Sequence, residues 1–144
     1  MKSYRQRIGL FAIATFACMS AAPAVAHVEG MWMVKDGTIL RIHNCGDAVC
    51  ANIAVLRHNQ PATDRNNADP SQSGRSLLGV QVLQSMRPAG PGKWTGRLYN
   101  VDDGKTYTGN LIEVGPDAIR IEGCWLGVCG GENLTRVKST ASSH

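Results

Sequence analysis

Ile119 and Ile121 alternate with Arg120 and Glu122. This two-residue period, rather than a helical one, runs through the chain: nothing after residue 26 sustains the apolar period of about 3.6 residues that an amphipathic helix needs. Alternation sends successive side chains to opposite faces, so one face can be buried while the other stays wet. Leu78, Val80 and Val82 repeat the pattern with Gln81 opposite, and Thr38 to His43 and Asn52 to Arg57 are two further runs. Reversal signals separate the runs. Arg87 to Gly92 holds two prolines, which lack the ladder donor, and reads as lying outside any strand. Asp103-Gly104 supplies the positive φ of a tight hairpin turn, and Gly115-Pro116-Asp117 is another reversal. The pattern predicts strands over 31–35, 38–43, 51–57, 77–86, 93–101, 105–114, 118–125 and 132–137. Eight short strands in sequence order imply an all-β fold, an antiparallel up-and-down meander whose closure into a small barrel removes the exposed edges.

Two segments stand apart. His58 to Ser76 is polar, with Pro61 and Pro70, and its composition predicts a mobile insertion. Residues 138–144 form a small polar tail.

The first 26 residues read as a Sec-type signal peptide. Lys2, Arg5 and Arg7 precede an apolar run from Ile8 to Ala17, and Ala24-Val25-Ala26 is an A-x-A cleavage site. That run is too short to span a bilayer. The alternative, lipidation of Cys18, lacks the usual aliphatic residue three positions upstream. Cleavage after Ala26 removes three of the 15 Lys and Arg residues and none of the 11 acidic ones, which takes the formal charge from +4 to +1. Nucleic-acid binding thereby loses its electrostatic support. The expected location is periplasmic or secreted, with no stable membrane insertion after cleavage, and residues 27–137 as one β-barrel domain.

Four cysteines follow the cleavage site: Cys45, Cys50, Cys124 and Cys129. An even number in an exported chain points to disulfides. The repeated C-x4-C spacing is wide for zinc, and no histidine pair at ligand spacing accompanies it. Of three connectivities, the two local bridges Cys45–Cys50 and Cys124–Cys129 are favoured, because each pair brackets a reversal, at Gly46-Asp47 and at Gly127.

Catalytic signals are missing. The chain has no G-x-S-x-G and no phosphate-binding G-x-x-x-x-G-K-[ST] loop, and His27, His43, His58 and His144 are scattered. Asn100, Asp102 and Asp103 crowd oxygen atoms before Gly104 without the spacing or the closing Glu of a calcium loop, so a hairpin turn is the better reading. Tyr99 and Tyr107 flank that hairpin and are expected to pair across it.

The stretch Trp94-Thr95-Gly96-Arg97-Leu98-Tyr99-Asn100-Val101-Asp102-Asp103-Gly104-Lys105-Thr106-Tyr107 resembles the W-x-G-x-[IL]-Y-[DN]-P-x-[DN]-G-K-x-Y core of a family of small exported bacterial proteins, domain of unknown function 2147. Gly30-Met31-Trp32, Cys45-Gly46 with Cys50, and Gly131 followed by Thr135-Arg136-Val137 fit the same family. Val101 stands where the family usually has Pro, and Leu134 where it often has Trp. This resemblance implies a compartment and a fold but no activity. Gly30-x-Trp32 on the first strand and Arg136 on the last are also similar to lipocalin and fatty-acid-binding barrels. That likeness implies a lipocalin-like barrel in which Arg136 lies across Trp32 and closes one end.

The expected function is therefore that of a small exported barrel holding an apolar or amphipathic small molecule, without enzymatic activity and without cofactor or metal. The alternative is a structural or interaction protein of the cell envelope with a solidly packed barrel. Gly79, Gly96, Gly109 and Gly123 fall where small inward residues could leave room for a ligand, and they serve equally as bends at barrel corners.

Overall fold

The computed structural model describes residues 14, 16–18 and 27–139. The predicted signal peptide and its cleavage site fall almost entirely outside the described residues, as do residues 140–144 of the tail. Eight strands follow in order: β1 (Gly30–Met33), β2 (Ile39–Asn44), β3 (Val49–Val55), β4 (Gln81–Gly90), β5 (Lys93–Asn100), β6 (Lys105–Gly115), β7 (Ala118–Trp125) and β8 (Val128–Arg136). Each pairs antiparallel with the next, and β1 pairs with β8 to close the barrel. The core is the inward half of the alternation: Leu40, Ile42, Leu83, Leu111, Ile119 and Leu134 are all buried.

Three expectations about the strands need correction. The run Leu78-Val80-Val82 is not one face of a strand. Leu78 is 52% exposed whereas Leu77, Val80 and Val82 are buried. Residues 77–80 form a turn hooked onto β3, with the Gly79 N–H donating to the Ile53 carbonyl at 2.8 Å. β4 instead starts at Gln81 and runs through Pro88 to Gly90. Pro88 is tolerated because β3 pairs with β4 only as far as Met86. Beyond that point one side of β4 has no ladder, and a missing donor costs little. β8 begins at Val128 rather than 132, since Leu126 (φ 49°) and Gly127 (φ 81°) make a two-residue turn. Positive φ at both turn residues matches the twist of the flanking strands.

The segment from 58 to 76 is packed, contrary to its composition. The Leu77 N–H donates to the Ala62 carbonyl at 2.8 Å, and the Asp64 N–H donates to the Arg75 carbonyl at 3.0 Å, so its two ends are tied together. Asp64 is 1% exposed. Its carboxylate accepts from the Tyr99 hydroxyl at 2.7 Å, from Asn67 Nδ2 at 2.9 Å and from Arg75 Nε at 2.9 Å. Asn66 Nδ2 donates to the carbonyls of Val101 at 3.2 Å and Asp102 at 3.0 Å, which docks the segment on the β5–β6 turn. The buried Asp64 and these docking bonds hold the segment against the barrel, while most of its other side chains stay exposed.

Candidate functional site: a cavity at the open end of the barrel

In an up-and-down meander the connections alternate between the two ends. One end is plugged. Trp32 is 1% exposed, and its indole N–H donates to the Val28 carbonyl at 2.9 Å. The Arg136 guanidinium lies 4.2 Å from the Trp32 ring centroid and donates to the carbonyls of Glu29 at 2.9 Å and His27 at 2.6 Å. Trp32 and Arg136 are direct register partners across β1 and β8. Gly30 has φ of 132°, and a Cβ there would stand 3.0 Å from Arg136 Nη1. The glycine two residues before the tryptophan thus leaves the space the guanidinium fills. Only a planar fork can stack on indole and serve two carbonyls at once. Arg136→Lys is therefore expected to cost about 1–2 kcal/mol of stability, the scale of a desolvated cation–π contact and its hydrogen bonds. Urea denaturation measures it.

The other end is open and holds a cavity of about 400 Å³. Its apolar wall includes Leu40, Ile53, Leu83, Leu98, Ile121 and Leu134. These inward residues of β2, β3, β4, β5, β7 and β8 sit above the Trp32 plug. Tyr99 and Tyr107 add aromatic surface, and Gly123 and Gly130 leave part of the β7–β8 wall bare. A Cβ at Gly123 would make ordinary contacts of 3.5–3.6 Å with Tyr107 and Leu98, and one at Gly130 would meet nothing within 4 Å. Gly96 and Gly109 have another reason. A Cβ at Gly96 would come within 2.7 Å of the Gln84 and Ser85 carbonyl oxygens, and one at Gly109 within 2.9 Å of Leu98 Cβ. Those two permit close strand approach and create no room. Gly79, at φ 85°, belongs to the turn before β4.

The rim of the cavity is charged. Asp36, Asp102 and Glu132 line it together with Arg57 and Gln60. Arg57 bonds Asp36 at 2.7 Å and approaches Asp102 at 3.5 Å. Burial works to raise the Asp36 carboxyl, but the Thr38 backbone N–H and Arg57 outweigh it and hold the group below the usual carboxylate range. Glu132 goes the other way. Desolvation, and then the charges of Asp36 and Asp102, push its carboxyl up, with Lys35 offsetting part of the effect. The Gln60 Oε1 is buried and accepts no hydrogen bond among the described residues. Asp102 stood out in the sequence only as a turn residue, and the other rim residues did not stand out. The signal was present for one of them. Gly130, Glu132, Leu134 and Arg136 share a parity on β8, so an inward Leu134 and Arg136 place Glu132 inward as well.

The hairpin residues divide between core, turn and rim. Trp94 is buried in the core, and its Nε1 has no partner among the described residues. Arg97 faces outward and is exposed. Tyr99 does not pair with Tyr107: it opposes Thr106, while Tyr107 opposes Leu98. Desolvation and the Asp64 hydrogen bond push the Tyr99 hydroxyl up to about 12, so it remains a donor. Tyr107 donates to Asp103 and meets Trp125 edge-on, with ring centroids 6.3 Å apart. The oxygen atoms before Gly104 organise the turn. Asn100 Oδ1 accepts from the Asp102 N–H at 3.0 Å, and Asp103 Oδ1 from the Lys105 N–H at 2.9 Å. The connection is Val101–Gly104, one residue longer than the expected 102–104, with Gly104 at positive φ as expected and its N–H donating to the Asn100 carbonyl at 2.8 Å. Both local disulfides are present, Cys45–Cys50 and Cys124–Cys129. Glu122 lies beside the second, but sulfurs bonded to each other offer no thiolate to a metal.

Among curated proteins, none matches this chain in sequence. Among solved structures it is similar to a protein described as "Protein HP1028 from the human pathogen Helicobacter pylori belongs to the lipocalin family". The TM-score is 0.68 at 18% identity, over 78% of this chain and 84% of that one. At that identity the likeness establishes the fold, a lipocalin-like barrel. Residues 30–136, which include the hairpin, both disulfides, the plug and the cavity walls, match the family described as "Uncharacterized protein conserved in bacteria (DUF2147)", and the chain belongs to that family.

Proposed function

We propose that this protein is an exported binding module that holds an apolar or amphipathic small molecule in the open end of its barrel, and that it is not an enzyme. The observation that carries the reading is the cavity of about 400 Å³ above the Trp32–Arg136 plug, apolar in its wall and polar at its rim. Small-molecule sites are commonly concave, mostly apolar and about 300–1,000 Å³. Two disulfides suit an oxidising compartment outside the cytoplasm. Among the described residues, no helix is long and apolar enough to cross a membrane. Mass analysis of protein recovered from its own compartment is expected to give a chain starting at His27, and a lipid-modified Cys18 would overturn that. Native mass spectrometry of the same material is expected to show a co-purifying ligand. Gly123→Leu fills the cavity from a strand position with room for a side chain. It should abolish ligand retention while leaving the circular dichroism spectrum unchanged. Retention at the wild-type level would place binding elsewhere.

A second reading, an interaction protein of the envelope, has one observation in its favour. Trp125, Leu126 and Val128 at the β7–β8 tip are 65%, 89% and 75% exposed. Exposed apolar clusters of this kind often mark contact surfaces. That reading is favoured if the protein purifies without ligand and Gly123→Leu leaves its cellular role intact.

A further inference from the structure

From the composition of the cavity rim we infer that the ligand is an amphiphile with a cationic head, an alkyl- or aryl-ammonium, rather than a carboxylate. The inference rests on the reading of the cavity as a ligand site and specifies the chemical class it takes.

Three carboxylates and one guanidinium line the cavity, Asp36, Asp102 and Glu132 against Arg57. Arg57 is already committed to Asp36 and Asp102. An anionic head would find no free cation among the lining residues and would stand among carboxylates; Lys35, exposed and outside the lining, is the cation that acts on this cluster. Glu132 is in the opposite condition. It lies on the cavity side of β8 as the register partner of the buried Ile121, is itself exposed at the rim, and the charged groups acting on it are Asp36, Asp102 and, in opposition, Lys35. It makes no hydrogen bond and no ion pair among the described residues. The same charge imbalance that raises its carboxyl would be relieved by a cation seated beside it.

One further feature fits a cationic head. Tyr107 lines the same cavity and is braced by Asp103 and by Trp125. Aromatic faces attract ammonium groups and do nothing comparable for carboxylates. Below this rim, the wall of Leu40, Ile53, Leu83, Leu98, Ile121 and Leu134 accommodates an apolar tail.

Decylammonium, decanol and decanoate share a tail and differ in head charge, so calorimetric titration of the full mature chain with each isolates the head. Decylammonium is expected to bind about tenfold more tightly than decanol, the equivalent of one favourable charge contact, and decanoate more weakly than either. Glu132→Gln should bring decylammonium to within about twofold of decanol while leaving decanol unchanged, and added salt should shrink the wild-type preference. Gly123→Leu should weaken all three, which separates binding in the cavity from binding at the exposed β7–β8 tip. Decanoate binding as tightly as decylammonium would overturn the inference, as would a preference that survives Glu132→Gln. Equal binding of the three probes removes only the cationic class. Failure of all three to bind removes the cavity reading together with it.

Discussion

Gly104→Val is expected to lower the stability of the barrel by about 3–5 kcal/mol, combining a strained backbone with an overpacked contact. Gly104 has φ of 70°, where a β-branched residue is strained. The larger reason lies outside the hairpin. A Cβ at this position would fall 1.8 Å from the Asn66 carbonyl oxygen and 2.6 Å from its carbon. The backbone of the segment between β3 and β4 lies directly on the glycine, and Asn66 holds it there by its bonds to Val101 and Asp102. Any side chain must lever the segment off the turn. Gly37 provides the comparison. Its φ is 95°, yet a Cβ there would meet nothing within 4 Å. Gly37→Val therefore carries only the backbone strain, about 1–2 kcal/mol. Gly104→Asn, which tolerates positive φ but keeps the Cβ, should recover no more than about 1 kcal/mol of the loss. Urea midpoints at constant m-value give the three differences. Equal losses for Gly104→Val and Gly37→Val would mean that the segment does not rest on the turn.

Asp64→Ala should cost about 2–4 kcal/mol, because it leaves the Tyr99 hydroxyl, Asn67 and Arg75 without their acceptor. The figure lies below that for a wholly buried ion pair, since the Arg75 side chain is 40% exposed and rehydrates. The same carboxylate gives the fold an acid limit. Burial works to raise the Asp64 carboxyl, but hydrogen bonds from Asn67, Tyr99 and Arg75 and the charge of Arg75 outweigh it and hold the group below the usual range. A carboxyl depressed by folding contributes its full stability above its unfolded value of about 3.9 and loses it as pH falls through the lower folded value. The stability difference between wild type and Asp64→Asn should therefore be constant near neutrality and shrink once the pH drops below about 4. A difference that stays flat into strong acid would remove Asp64 as the charged centre of this network.

How much of this was legible beforehand varies by element. Strand β7 was read over its full length, 118–125, because its alternation is strict and both of its boundaries carry reversal residues. The Trp32–Arg136 plug was legible because closing an eight-strand meander brings the first and last strands together. The register then made the two residues direct partners. β4 was misread at both ends. Its alternation begins in a turn that is apolar for its own packing reasons. Its prolines were weighed without knowing that β3 stops pairing at Met86. Glu132 escaped notice because a glutamate in a glycine-rich strand reads as solvated until the parity of Leu134 is known to be inward.

Period, punctuation and paired cysteines are local properties. They suffice for the strand number, the antiparallel order, the two disulfides and the all-β fold, since each depends only on which residues a strand or turn can tolerate. What lies at the open end is not local. Whether the barrel is filled or hollow depends on which glycines face inward with space before them, as Gly123 does, and which are pressed against a neighbouring strand, as Gly96 is. Whether residues 58–76 are solvated or packed depends on Asp64 finding Tyr99, thirty-five positions away. The charge of the cavity rim depends on four residues from three different connections and one strand converging at the same end. Those outcomes are set by closure of the barrel, because only closure fixes which groups share one enclosed volume.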